Sequence, residues 1–152
     1  MRLAALALVI FPTVGLADGL MVKNAMVPVA PPSAKAHAAY MELHNHGDAL
    51  KALIGVTAEG YAMAHLHVSE EKDGVATMSA VSQIDIAPEQ SVALMPGGLH
   101  IMLMRPSAPV AEGDTVAITL EFADGSTQAV TARVMKRDHA MHADHSGHKH
   151  GS

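Results

Sequence analysis

The 152 residues include no cysteine and no tryptophan, and only two phenylalanines and two tyrosines. Without cysteine there can be no disulfide, so the fold has to be held by burial alone, even in an oxidising compartment. Basic charge is also scarce. Ten Lys plus Arg against 15 Asp plus Glu leave a net charge of -5 and no basic patch, which argues against nucleic acid as a partner. The longest apolar run, Leu3 to Leu16, falls short of the roughly 20 residues a helix needs to span a bilayer. No second run of that kind follows, no 3.6-residue period is sustained, and no internal repeat is present.

What the short apolar run does match is a secretory signal peptide. Arg2 gives a basic start, the apolar stretch follows, and Gly15 and Ala17 supply the small residues of a cleavage site. The expectation is a signal peptide over residues 1–17 and a mature periplasmic chain beginning at Asp18, not inserted in the membrane. A short buried N-terminal helix is the alternative.

From Asp18 onward, short apolar stretches alternate with turn residues, the pattern of an all-β protein. Strands are expected at Met21 to Val29, Ala38 to His44, Ala49 to Ala58, Tyr61 to Val68, Val75 to Val81, Ile84 to Ile86, Ser91 to Leu94, Leu99 to Met104, Thr115 to Phe122 and Thr127 to Met135. Asn45-His46-Gly47-Asp48 and Ala123-Asp124-Gly125-Ser126 read as hairpin turns, and Ser69 to Gly74 as a polar turn. His37 is expected in a loop, with His44 and His46 as surface groups beside their turn. The whole predicts one β-sandwich domain of roughly seven to nine strands over residues 18–135. Residues 136–152 carry His139, Met141, His142, His145, His148 and His150 and almost nothing a core could use, so they are expected to form a disordered His/Met-rich tail.

Methionine and histidine, 11 of each, are the two residue types in excess. Methionine can replace aromatic bulk in a core. Thioether and imidazole together, however, favour copper. Position separates these readings better than composition does. On a strand His100, Met102 and Met104 share one face and Ile101 and Leu103 the other. His65 and His67 likewise share a face, and Met78 lies across the polar turn from His67. Two imidazoles and two thioethers would suit Cu(I) far better than zinc, calcium or magnesium. Strand pattern alone does not rank His65 against His67, or Met102 against Met104.

His67, ten residues, Met78, twenty-one residues, His100, one residue and Met102 match the H-x10-M-x21-H-x-M pattern, and in this the chain resembles the periplasmic PCuAC copper chaperones. Asp73-Gly74-Val75, Met95-Pro96-Gly97-Gly98, Ala38-Ala39-Tyr40-Met41, Asn45-His46-Gly47-Asp48 and Glu112-Gly113-Asp114 extend the likeness over roughly residues 20–135. The resemblance implies a cupredoxin-like Greek-key β-sandwich that binds Cu(I) through His67, Met78, His100 and Met102 at an exposed edge. It favours His67 over His65 and Met102 over Met104. It also implies delivery of copper to an assembly protein or a subunit of cytochrome c oxidase. Val68, Glu71 and Ala76 stand where relatives often carry extra methionines, and Met26 where a first-strand tryptophan is common.

The tail resembles the His/Met extension of some family members and would bind Cu(II) or assist the domain site. Its irregular spacing, with no run of six histidines, argues against an engineered tag. Other classes fare worse. A blue-copper centre needs a thiolate, which is missing. A copper oxygenase with an N-terminal histidine does not fit a chain starting at Asp18, and no Ser/His/Asp arrangement stands in recognisable context. The expectation is therefore a monomeric copper chaperone and not an enzyme. The competing function is bulk sequestration of copper or zinc in the periplasm, in which the tail would do most of the binding.

Overall fold

The computed structural model describes residues 19–136. The expected signal peptide, 1–17, and the tail histidines from His139 to His150 with Met141 lie outside the described residues.

Ten strands and no helix make up the described chain, one at each of the expected segments and more than the roughly seven to nine expected of the sandwich as a whole. They are β1 (Leu20–Pro28), β2 (Ala36–Asn45), β3 (Lys51–Ala58), β4 (Tyr61–Lys72), β5 (Val75–Ala80), β6 (Ile84–Ile86), β7 (Ser91–Leu94), β8 (Leu99–Pro106), β9 (Thr115–Phe122) and β10 (Thr127–Met135). Hydrogen bonds link them in the order β5-β4-β8-β2-β1-β10-β9-β3-β6, with β7 also paired to β2. Strand β2 joins the two layers. Its first half, Ala36 to Ala39, pairs with β8, and its second half, Met41 to His44, pairs with β7.

The period of two explains which side of each strand is buried. His37, Ala39, Met41, Leu43 and Asn45 point inward from β2. Val116, Ile118, Leu120 and Phe122 do so from β9, and Val130, Ala132 and Val134 from β10. Leu66, Ile101 and Leu103 supply the inner face of β4 and β8. Apart from Phe122 the core is aliphatic, and of the described methionines it uses only Met26 and Met41. Thus the methionine excess is not a packing device. Met63, Met102 and Met104 are half-buried, and Met21, Met78 and Met95 are exposed.

Three local expectations need correction. The turn between β4 and β5 is shorter than Ser69 to Gly74, because Lys72 pairs with Val75. Asp73 and Gly74 alone make it, with φ of 53° and 75°, the two-residue turn whose twist matches the strands it joins. His37 is not in a loop. It lies on β2, buried, with Nδ1 2.7 Å from the Tyr61 hydroxyl.

Asn45-His46-Gly47-Asp48 is not a hairpin turn either. Strand β2 does not pair with β3, which pairs instead with β6 and β9. The cause is Asn45, whose side chain is fully buried and bonds three ways. It donates to the carbonyls of Ala49 (2.8 Å) and Ile86 (3.0 Å) and accepts from the Gly47 N–H (3.0 Å). These bonds turn the chain away from β2 and clamp it to the end of β6. Asn45→Ala would strand those groups, at about 1–3 kcal/mol for each one left unsatisfied. The Ala49 carbonyl and the Gly47 N–H are only part-buried and can turn to water, so the expected loss is about 2–4 kcal/mol, read as a lower urea midpoint with an unchanged m-value.

Candidate metal centre

Four strand segments, in the order β5-β4-β8-β2, present one outer face. Residues directly opposite each other on a ladder share a face, so the register decides what gathers there. His67 stands opposite His100, His65 opposite Met102, and Met63 opposite Met104. Met78 stands opposite Ser69, the same-face neighbour of His67 two residues on, and is therefore diagonal to His67. Ala38 of β2 stands opposite Met102, so a small side chain borders the patch where a large one would cover it. The fold thus brings His67, Met78, His100 and Met102 onto one contiguous patch of three adjacent strands. His65, Met63 and Met104 continue the same face one or two rungs away.

The two histidines are held differently. His100 is buried, and its Nδ1–H donates to the Gly98 carbonyl at 3.0 Å. That bond fixes the ring and leaves Nε2 as the free donor, the arrangement usual for a metal-ligating imidazole. Gly98 closes the Met95-Pro96-Gly97-Gly98 turn, in which Gly97 has φ of 79°. The His67 and His100 ring centroids are 5.9 Å apart, His65 and His67 are 6.4 Å apart, and Tyr40 flanks His100 at 6.4 Å.

His67 carries an unpartnered buried Nδ1. An unsatisfied buried polar atom costs about 1–3 kcal/mol, and an ion taking its lone pair would remove that cost. Burial pushes the His67 imidazole below the usual histidine range, and the neighbouring His100 and His65 push it further the same way. It is therefore neutral, and available as a ligand, over a wider pH range than a free histidine. Met78 is 52% exposed on an edge strand whose residues are all exposed, so packing gives no reason for a methionine there.

Sequence reasoning missed a second cluster. Among the described residues, His44, His46 and Glu89 are the group in which three imidazole or carboxylate donors lie within 4.8 Å of one another. Forty-two residues separate His46 from Glu89, so no local spacing could have revealed it.

Comparison with known proteins agrees with this fold. Residues 20–134 match the LpqE-like family, described as "Putative lipoprotein LpqE-like". A "Putative lipoprotein" of Leifsonia xyli subsp. xyli is 36% identical over 119 residues, covering 78% of this chain and 70% of the relative. The solution structure of CuI-DR1885 from Deinococcus radiodurans is 35% identical, with a TM-score of 0.63, covering 80% of this chain and 83% of the other. The apo PCuAC domain from PmoF1 shares the fold at 21% identity and a TM-score of 0.65, covering 78% of this chain and 94% of that domain. The all-β expectation holds, and the match over nearly the whole described region makes this chain a member of the LpqE-like family.

Proposed function

We propose that this chain is a copper carrier of the cell envelope, holding Cu(I) through His67, Met78, His100 and Met102 and passing it to a protein partner. The observation that carries the reading is the ladder register, which sets His67 opposite His100 with Met78 and Met102 on the same outer face. A relative at 35% identity was solved as its Cu(I) form, which supports the same cargo here. Both thioethers are uncharged and soft, and the donor set matches Cu(I).

The placement also suits transfer. A carrier has to give up its ion by ligand exchange, so an incoming donor must reach the metal before the last outgoing one leaves. Met78 on the edge strand is the most accessible of the four, which makes it the first to be displaced. Cytochrome c oxidase, or a protein assembling its copper centres, is the recipient we infer. The lipoprotein names of the family and its relative support an exported protein, in keeping with a periplasmic site and a signal peptide over residues 1–17. No helix among the described residues is long and apolar enough to cross a membrane. His139, Met141, His142, His145, His148 and His150 would form a second site for Cu(II) or assist the first.

Anaerobic Cu(I) titration against a competing chelator tests this. The full chain and a chain truncated before Lys136 should each bind one Cu(I) tightly. If truncation abolishes most of the binding, the chain is a sequestering protein that works through its tail, and the carrier reading fails.

A further inference from the structure

We propose that His44, His46 and Glu89 form a further, sulfur-free metal site on the folded domain, distinct from the tail, that takes a divalent borderline ion, Cu(II) ahead of Zn(II). It goes beyond the Cu(I) reading and does not depend on it. The three donors lie within 4.8 Å of one another. Ligands bound to one ion at roughly 2.0–2.2 Å sit about 3.3 Å apart in a tetrahedral arrangement, so closure needs small rotations of half-buried or exposed side chains only.

The cluster is built on a fixed frame. His44, on β2, pairs with Ser91 on β7, and its Nδ1 lies 2.8 Å from the Ser91 hydroxyl. That contact orients the ring and leaves Nε2 to ligate, as outer partners of metal-bound imidazoles commonly do. The His44 and His46 ring centroids are 4.0 Å apart with the rings nearly edge to face. His46 is tied down by its own N–H, which donates to the Gly19 carbonyl at 2.7 Å. Glu89 sits at the third position of the turn Ala87-Pro88-Glu89-Gln90, closed by the Gln90 N–H on the Ala87 carbonyl at 3.1 Å.

Buried Asn45 locks the two loops together. Its backbone N–H donates to the Gln90 carbonyl at 3.0 Å and its side chain to the Ile86 carbonyl, one bond on either side of the Glu89 turn. Asn45 is thus a positioning residue for all three ligands. Glu89 itself has φ of 57°, a left-handed conformation in which glycine or asparagine would be less strained. The turn itself does not call for a glutamate at this position.

The donor chemistry sets the ion. Two imidazoles and a carboxylate, with no thioether, form a harder set than the His/Met patch. Three protein ligands leave a fourth position for water or a further donor, as in open zinc sites. Copper(II) binds such nitrogen and oxygen sets more tightly than zinc. His44 is four residues beyond Tyr40 on β2, about 13 Å at the strand rise, so the two sites are separate yet on the same side of the same strand.

The test uses the full chain and a zinc salt, with the ring nitrogens of each histidine followed by NMR. Zinc is diamagnetic, so His44 and His46 are read separately from the tail histidines. Saturating zinc should shift both rings, Glu89→Gln should weaken that transition about tenfold, and His44→Ala with His46→Ala should remove one ion from the total bound. Glu89→Gly should also weaken binding about tenfold while raising the metal-free melting temperature, which separates ligation from folding. Added Cu(II) should displace the zinc and broaden the same two rings. Unmoved His44 and His46 signals at saturating zinc, an unchanged response in Glu89→Gln and Glu89→Gly, or zinc that Cu(II) leaves in place would each overturn the proposal.

Discussion

Met78→Ala combined with Met102→Ala should weaken Cu(I) binding by at least about 10³-fold, while costing the fold about 1 kcal/mol or less. The binding estimate starts from outer-shell partners. Removing one of those alone costs about 10–100-fold in metal affinity, so removing two direct donors should exceed the product of two small effects. The stability estimate follows from exposure. Met78 is 52% exposed and Met102 faces outward from β8, so neither deletion opens a cavity in the core. Met63→Ala with Met104→Ala is the matched control. That pair faces the same way and stands opposite each other two rungs from His67 and His100, so it should cost less than about tenfold. Competition titration against a Cu(I) chelator reads both variants. A double variant that keeps its affinity within tenfold of the parent would remove the thioethers from the site.

The same outward face shows what could be read from the sequence and what could not. Alternation at His100, Ile101, Met102 and Leu103 already separates a core side from a donor side, and the structure keeps that separation, with Ile101 and Leu103 fully buried. The strand pattern alone leaves the His/Met register open, because the turn that sets β5 on β4 reads as Ser69 to Gly74 in the sequence and is only Asp73-Gly74 in the structure. It could not choose between His65 and His67. The resemblance favours His67, and in the ladder β5 stops at Ala80 opposite His67 and leaves His65 with no partner on that strand. Where a residue acts over a long range, the local pattern misleads. Asn45-His46-Gly47-Asp48 has the residues of a hairpin turn, but the buried Asn45 side chain binds the Ile86 carbonyl 41 residues away. Local propensity for a turn was right, and the direction in which the chain leaves it was set by a tertiary hydrogen bond. His44, His46 and Glu89 were hidden for the same reason.

Cu(I) affinity should stay level from pH 8 to about 6.5 and fall below it, because bound imidazoles have to be neutral. One ordinary imidazole at ~6.5 lowers the affinity of its site about 30-fold at pH 5, and two would lower it about 10³-fold. The fall should be shallower than that upper limit. Burial and the nearby His100 and His65 hold the His67 imidazole below the usual value, so protons compete with the metal for it only at lower pH. The metal-free fold should respond in the same direction. His37 and His67 both have lowered values in the folded chain, through burial first, and so the unfolded chain takes up protons before the folded one does. Their contribution to stability is present above about 6.5 and is lost as pH falls through the lowered folded values. Urea midpoints across that range would separate this loss from loss of the ion. Thioethers do not titrate, so Met78 and Met102 should retain weak Cu(I) binding at pH 5 for as long as the sandwich remains folded. An affinity that is flat from pH 8 to pH 5 would rule out histidine as a ligand, and a fall that persists in His67→Asn with unchanged depth would place the titrating group elsewhere.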